Sequence, residues 1–105
     1  MSNARIVLTT AGSQEEARKI AGALVEQRLA ACVNILPAVE SVYRWQGKVE
    51  TATEWLLLIK TLDGSFDRVC QAVKELHSYD LPECIVLEVP AGSPEYLKWI
   101  AENVT

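Results

Sequence analysis

Apolar residues recur along this chain at two different periods, and the switches between them mark out the elements of the fold. Arg5 to Thr10 (RIVLTT) is a short apolar run rich in β-branched residues, which predicts a central strand buried on both faces. The period then becomes helical. Ala17, Ile20, Ala21, Leu24 and Val25 recur along one face, and Ser13 followed three residues later by Glu16 forms a capping box at its start. This helix is expected to reach about Leu29. Gly22 lies inside it at a cost of roughly 1 kcal/mol relative to alanine, so it marks either a close contact with the sheet or a tolerated defect.

From Ala31 the pattern is that of strands. Val33, Ile35, Val39, Tyr43 and Trp45 share one parity, and Pro37 requires a bend, a bulge or an edge position. Gln46, Gly47 and Lys48 turn the chain, and a β-branched, apolar return arm runs from Val49 to Thr61. Arms of about a dozen residues at ~3.3 Å per residue span ~40 Å, whereas a domain of this length has a radius of gyration near ~13 Å. The tip should therefore overhang its own core; the alternative is a hairpin that curls back over its sheet at Pro37. The tip carries Tyr43 and Trp45, with Trp55 on the opposite arm, and overhanging aromatic strands normally pack on another subunit.

A second helix is expected from about Ser65 to His77, led in by Asp63-Gly64, with Phe66, Val69, Cys70, Val73 and Leu76 on one stripe. After a break at Asp80-Leu81-Pro82, the run CIVLEV (84–89) reads as another central strand. Ser93-Pro94-Glu95 then places an N-cap, a first-turn proline and an acid at the start of a terminal helix. Its apolar stripe is Tyr96, Leu97, Ile100 and Val104, and Trp99 lies beside it, facing a neighbouring subunit. Strand, helix, strand, strand, helix, strand predicts an α+β, ferredoxin-like βαββαβ sandwich with a long central hairpin and a C-terminal helix. Both main helices fall on one sheet face, and a subunit interface is the readiest cover for the other.

The 105 residues suit one domain, 1–105, with no repeat or linker. Ten basic against fourteen acidic side chains give a net charge of -4, without a basic cluster to neutralise phosphates, so nucleic acid is not an expected partner. No apolar run approaches a membrane span, and the first residues lack a signal-peptide pattern, so a cytoplasmic location is expected. Cys32, Cys70 and Cys84, odd in number and widely spaced, read as buried thiols in a reducing compartment.

Two readings of HSYDLPECIV (77–86) stand. In one, His77 closes the second helix by bonding its last carbonyls. In the other, His77 and Glu83, with Asp80 as a further donor, bind a divalent ion or small ligand in a groove between subunits. One chain supplies one imidazole and a threefold assembly three, so such a site requires these residues to approach the axis or a partner's ligands. Cys84 should point away from Glu83 across the strand. No pattern for nucleophilic catalysis or a phosphate loop is present, and no enzymatic activity is expected. Thr10, Gly12 and Ser13 lead into a helix N-terminus that can hold an anion, with Lys60 a candidate counter-charge.

The motifs Tyr43-x-Trp45-x-Gly47-Lys48-x-Glu50, Glu54 leading to Lys60-Thr61, His77-x-Tyr79-x-x-Pro82-Glu83 and Tyr96-x-x-Trp99 together resemble the CutA divalent-cation tolerance family, from about Arg5 to Val104. The resemblance implies a homotrimer of ferredoxin-like subunits, related in architecture to PII signalling proteins, with long hairpins packed between subunits. Tyr43, Trp45, Glu50, Glu54, Trp55 and Trp99 are then expected at the trimer interface. It also implies a role in the response to divalent metals, copper especially, with no obligatory cofactor and no catalytic activity. Other partners consistent with the architecture are a small metabolite in the intersubunit clefts and a protein that reads its presence; a scaffold trimer needs neither. Where family members discussed as copper binders carry a first-strand Cys and a His beside the motif histidine, this chain has Thr9 and Leu76, and only Glu83 carries over.

Overall fold

The computed structural model describes residues 2–105, in the order β1 (Ala4–Ala11), α1 (Gln14–Glu26), β2 (Cys32–Trp45), β3 (Lys48–Leu62), α2 (Phe66–Leu76), β4 (Ile85–Glu88) and α3 (Pro94–Glu102). The strands form one antiparallel sheet of order β2-β3-β1-β4. β1 is central, as its unbroken apolar run predicts. β4 is not: it is a four-residue edge strand paired only with β1, so CIVLEV leaves Ile85 and Leu87 half exposed, at 52% and 47%, instead of buried.

Alternation along β1 and β3 divides the sheet into two faces. Val7, Ala11, Leu57 and Ile59 point to one face, where they pack with Ala17, Ile20 and Leu24 of α1 and Val69 and Val73 of α2. Ser13 caps α1 as the sequence predicts, its Oγ accepting from the Glu16 N–H at 3.1 Å. The helix ends at Glu26, short of Leu29, because Arg28 turns into the left-handed region (φ 60°) and the N–H groups of Leu29 and Ala30 both fold back onto the Leu24 carbonyl. Val25, expected on the buried stripe, is exposed. A Cβ at Gly22 would meet nothing within 4 Å, so no close packing explains that glycine.

On the opposite face, α3 covers one end. Ile100, Val104 and Leu97 pack on Ala4, Ala31 and Leu62, with α3 capped by Ser93 and begun by Pro94 as expected. Elsewhere on this face Ile6, Leu8, Leu56 and Leu58, with Ile85 and Leu87 beside them, have no covering layer among the described residues.

The hairpin overhangs. β3 pairs with β1 only from Trp55 to Leu62, and beyond that β2 and β3 continue as a two-stranded arm, giving the molecule a 44 Å long axis against widths of 25 and 23 Å. Gln46 (φ 50°) and Gly47 (φ 81°) form the turn, both left-handed as a two-residue type I′ connection requires. At Pro37 the strand bulges: Leu36 pairs with Leu56 and Val39 with Glu54, leaving Pro37 and Ala38 (φ 57°) opposite Trp55. The extra residue changes the face. Val33 and Ile35 point to the helices, whereas Val39, Tyr43 and Trp45 share the opposite face with Glu54, Ala52 and Glu50, so the single parity seen in the sequence does not correspond to a single face. Trp55 is corrected too. It lies at the base of the arm, half-buried against the helical core, and not at the tip.

Cys70 on α2 and Cys84 before β4 are joined as a disulfide, with Cα atoms 6.0 Å apart. The expectation of three free thiols is overturned for these two: the segment leading into β4 returns past α2, which brings residues 14 apart in sequence within bridging reach. Cys32 is the free cysteine among the described residues.

Candidate functional site

Three pieces of chain meet on the sheet face opposite the two main helices: the end of β1, the overhanging arm, and the segment 77–83 between α2 and β4. They enclose a cleft of about 700 Å³. The bulge at Pro37–Ala38 aims Ser41, Tyr43 and Trp45 into it from β2, opposite Glu54 and Glu50 on β3. The segment after α2 supplies Tyr79, Asp80 and Glu83, with Leu81 at 73% exposure on the rim.

His77 sets the course of that segment. It ends α2 with an extended backbone (φ -85°, ψ 145°) and turns its ring under β1, where Nε2–H donates to the Thr10 carbonyl at 2.6 Å. Nδ1 accepts from the Tyr79 N–H at 3.1 Å, or, when protonated, donates to Glu16 Oε1 at the same distance. The side chain is fully buried. His77 thus neither closes its own helix by bonding the last carbonyls nor presents a free nitrogen to a metal: it clamps the segment to β1.

Tyr79 packs on His77 with ring centroids 4.5 Å apart and reaches into the cleft, donating from its hydroxyl to Glu54 Oε2 at 2.8 Å. Gly12 makes room for this, since a Cβ there would lie 2.9 Å from the Tyr79 hydroxyl. Glu54 is only 7% exposed, and no Lys, Arg or His lies within ion-pairing distance of it among the described residues. Burial, the bond to Glu54 and that carboxylate's charge push Tyr79 up to about 12. Burial and then the Glu54 charge push the Glu83 carboxyl up as well. Among the described residues the cleft lining carries four carboxylates, Glu50, Glu54, Asp80 and Glu83, and no Lys, Arg or His.

The residues expected to form an anion site do not assemble. Lys60 pairs with Ile6, whereas Thr10 pairs with Leu56 four rungs along, and Lys60 Nζ donates instead to Tyr96 Oη at 3.1 Å. The Thr10 carbonyl is taken by His77, Ser13 Oγ by the helix cap, and Gly12 is covered by Tyr79. Of the expected interface residues, Tyr43, Trp45, Glu50 and Trp99 are exposed, Trp99 stacked on Tyr96 at 5.4 Å, while Glu54 and Trp55 are engaged within the chain. For metal, no group of three or more His, Cys, Asp or Glu is set to hold an ion among the described residues. Sequence reasoning missed Tyr79 as the partner of Glu54, although its place in the HxYxxPE motif was in view.

These features define an α+β protein whose antiparallel sheet is helix-covered on one face and largely open on the other, with an acidic, aromatic cleft beneath an overhanging hairpin. The family described as CutA1 divalent ion tolerance protein matches residues 5–103, and the chain belongs to that family. It is 52% identical over 98 residues to the divalent-cation tolerance protein CutA of Thermus thermophilus, covering 93% of this chain and 95% of that protein. It is 44% identical to the chloroplastic CutA 1 of Oryza sativa, spanning 93% of this chain but 55% of that longer protein. The fold is similar to the solved CutA structures from Thermus thermophilus (TM-score 0.95, 50% identity, 97% and 99% of the two chains) and Xylella fastidiosa (TM-score 0.96, 42% identity, 99% and 100%).

Proposed function

We propose that the chain acts as a non-enzymatic homotrimer of ferredoxin-like subunits that takes part in the response to divalent cations, copper among them. The observation that carries the assembly is the uncovered face: Ile6, Leu8, Leu56 and Leu58 with Ile85 and Leu87, beside an arm that projects past its own core. Apolar β-surface of this kind is stabilised by burial at about 25 cal/mol per Å², and a second and third copy supply the cover. The strand order β2-β3-β1-β4 and the helices on one face support the ferredoxin-like reading.

The metal contact is weak and made by oxygen. Glu83 and the neighbouring carboxylates are hard donors, suited to hard cations more than to soft copper, and His77 is committed to Thr10. A small-molecule sensor resembling PII proteins is the second reading, favoured by a cleft of about 700 Å³ with converging polar groups. In either case a partner protein would read the occupied state. The proposed compartment is the cytoplasm, although the Cys70–Cys84 pair removes the thiol argument for it.

Sedimentation in solution tests the assembly: a mass of three chains is expected, and Leu58→Asp should dissociate it. Calorimetric titration of the intact assembly with copper(II) and zinc(II) tests the metal role. Weak, saturable heat that Glu83→Ala removes supports it, and no heat from either ion overturns it.

A further inference from the structure

We propose that the Cys70–Cys84 bridge is a reversible redox switch, opened by a dithiol reductant, that sets the order of the chain from Asp80 through β4 and thereby the strength of the assembly. The link to assembly rests on the reading of the uncovered face as a subunit interface; the local effect does not.

Position is the first reason. The bridge joins α2 to the residue immediately before β4, and the chain it encloses is unevenly fastened. Just after α2 there are three ties: His77 to the Thr10 carbonyl, Ser78 to Glu16 and Tyr79 to Glu54. Beyond Tyr79, no hydrogen bond or ion pair holds Asp80–Cys84 among the described residues, so the covalent link at Cys84 is what fixes that stretch. β4 itself has four residues, all exposed, and pairs on one side only, with β1. An edge strand this short makes few ladder bonds, and cutting the link at its start puts it at the low end of local stability. Ile85 and Leu87 belong to the apolar face that the helices leave uncovered, so order in β4 governs what a neighbouring copy can bury.

Access is the second reason. Both cysteines are half-buried, and the bridge lies on the helical side of the sheet, where Cys84 packs on the core beneath α1 and α2. Cover on the opposite face therefore does not seal it. In the cytoplasm, the proposed compartment, protein disulfides are transient and redox-sensing more often than permanent. The reductant supplies two electrons: its thiolate attacks one sulfur of the bridge, and the other leaves as a thiolate and takes a proton. The second thiol of the reductant then displaces the mixed disulfide, leaving the reductant as a disulfide and the chain with two thiols.

The test compares the intact protein, oxidised and after dithiothreitol at neutral pH, by backbone NMR relaxation and by sedimentation over a range of concentrations. Cys32→Ser serves as a background in which only the pair can respond. Dithiothreitol should open the bridge in the folded protein, and oxidised glutathione should close it again. On reduction, order parameters between Asp80 and Glu88 should fall from about 0.85 to about 0.6 or below, while Leu57 and Ile59 in the sheet stay rigid. The concentration at which the assembly half-dissociates should rise at least about tenfold. Cys70→Ser/Cys84→Ser should match the reduced parent and ignore dithiothreitol; the reduced parent gives the same readout should that variant fold poorly. A bridge that resists dithiothreitol until the protein is denatured is a fixed cross-link and overturns the proposal, as do order parameters that stay unchanged or fall throughout the sheet. If the segment loosens but the assembly is as strong as before, control of assembly fails. If the protein sediments as a single chain in both states while the segment still loosens, the interface reading fails and the local switch stands.

Discussion

The Tyr79 hydroxyl donates to Glu54 Oε2 at 2.8 Å, joining residues 25 apart in sequence and tying the segment after α2 to the base of the overhanging arm. A neutral donor is thereby placed against a buried anion, which holds the phenol in its protonated form.

Tyr79 therefore titrates late. An unfolded tyrosine ionises near 10 and this one near 12 when folded, from burial first and then from Glu54. Below about 10 both states keep the proton and the bond contributes in full; between 10 and 12 the unfolded chain loses its proton first, so stability falls as pH rises. Absorbance titration should show one of the three tyrosines ionising near 12, and Tyr79→Phe should abolish that step and lower stability by about 1–2 kcal/mol at neutral pH.

Glu83 gives the same sign at the other end of the scale. Its folded carboxyl is raised from 4.5 by burial and by Glu54, so stability is fully present below 4.5 and declines as pH rises through the folded value. Glu83→Gln removes the ionised form and should melt higher than the parent at neutral pH. That advantage should vanish in acid, and a constant difference across the pH range would refute the assignment.

His77 is expected to matter without any metal. His77→Ala leaves the Thr10 carbonyl without its 2.6 Å donor and opens a void under β1, costing about 2–4 kcal/mol. Urea unfolding in chelator-treated buffer measures it. An unchanged midpoint would show that the ring is not a structural clamp.

Reduction should be felt as well. The Cys70–Cys84 bridge closes a loop with a sequence separation of 14, for which the chain-entropy relation gives about 3 kcal/mol. Thiol titration of denatured, unreduced protein should count one cysteine, Cys32, and three after reductant. The Cys70→Ser/Cys84→Ser double variant should melt lower than the oxidised parent and no longer respond to reductant.

What was legible in the sequence was whatever local chemistry decides. The Ser13 and Ser93 caps, Pro94 at the start of α3, the turn at Gln46–Gly47 and the length of the hairpin arms all followed from residue type and period, because each depends on backbone preferences within a few residues. Family membership was legible too, since its motifs are read directly. The candidate site was half legible: Glu54, Glu83 and Trp45 were singled out, but their relation was not.

Tertiary structure alone decided where those side chains meet. Pro37 announced an irregularity, but only the pairing of Val39 with Glu54 established a bulge that moves Tyr43 and Trp45 to the carboxylate face while leaving Trp55 on the helical core. The edge position of β4, the pairing of Cys70 with Cys84 and the reach of His77 to Thr10 likewise depend on strand order and helix placement. The physical reason is one of range. Periodicity reports which residues share a side within one element, whereas an inserted residue reverses that side and a contact between elements depends on register, which local preferences do not encode.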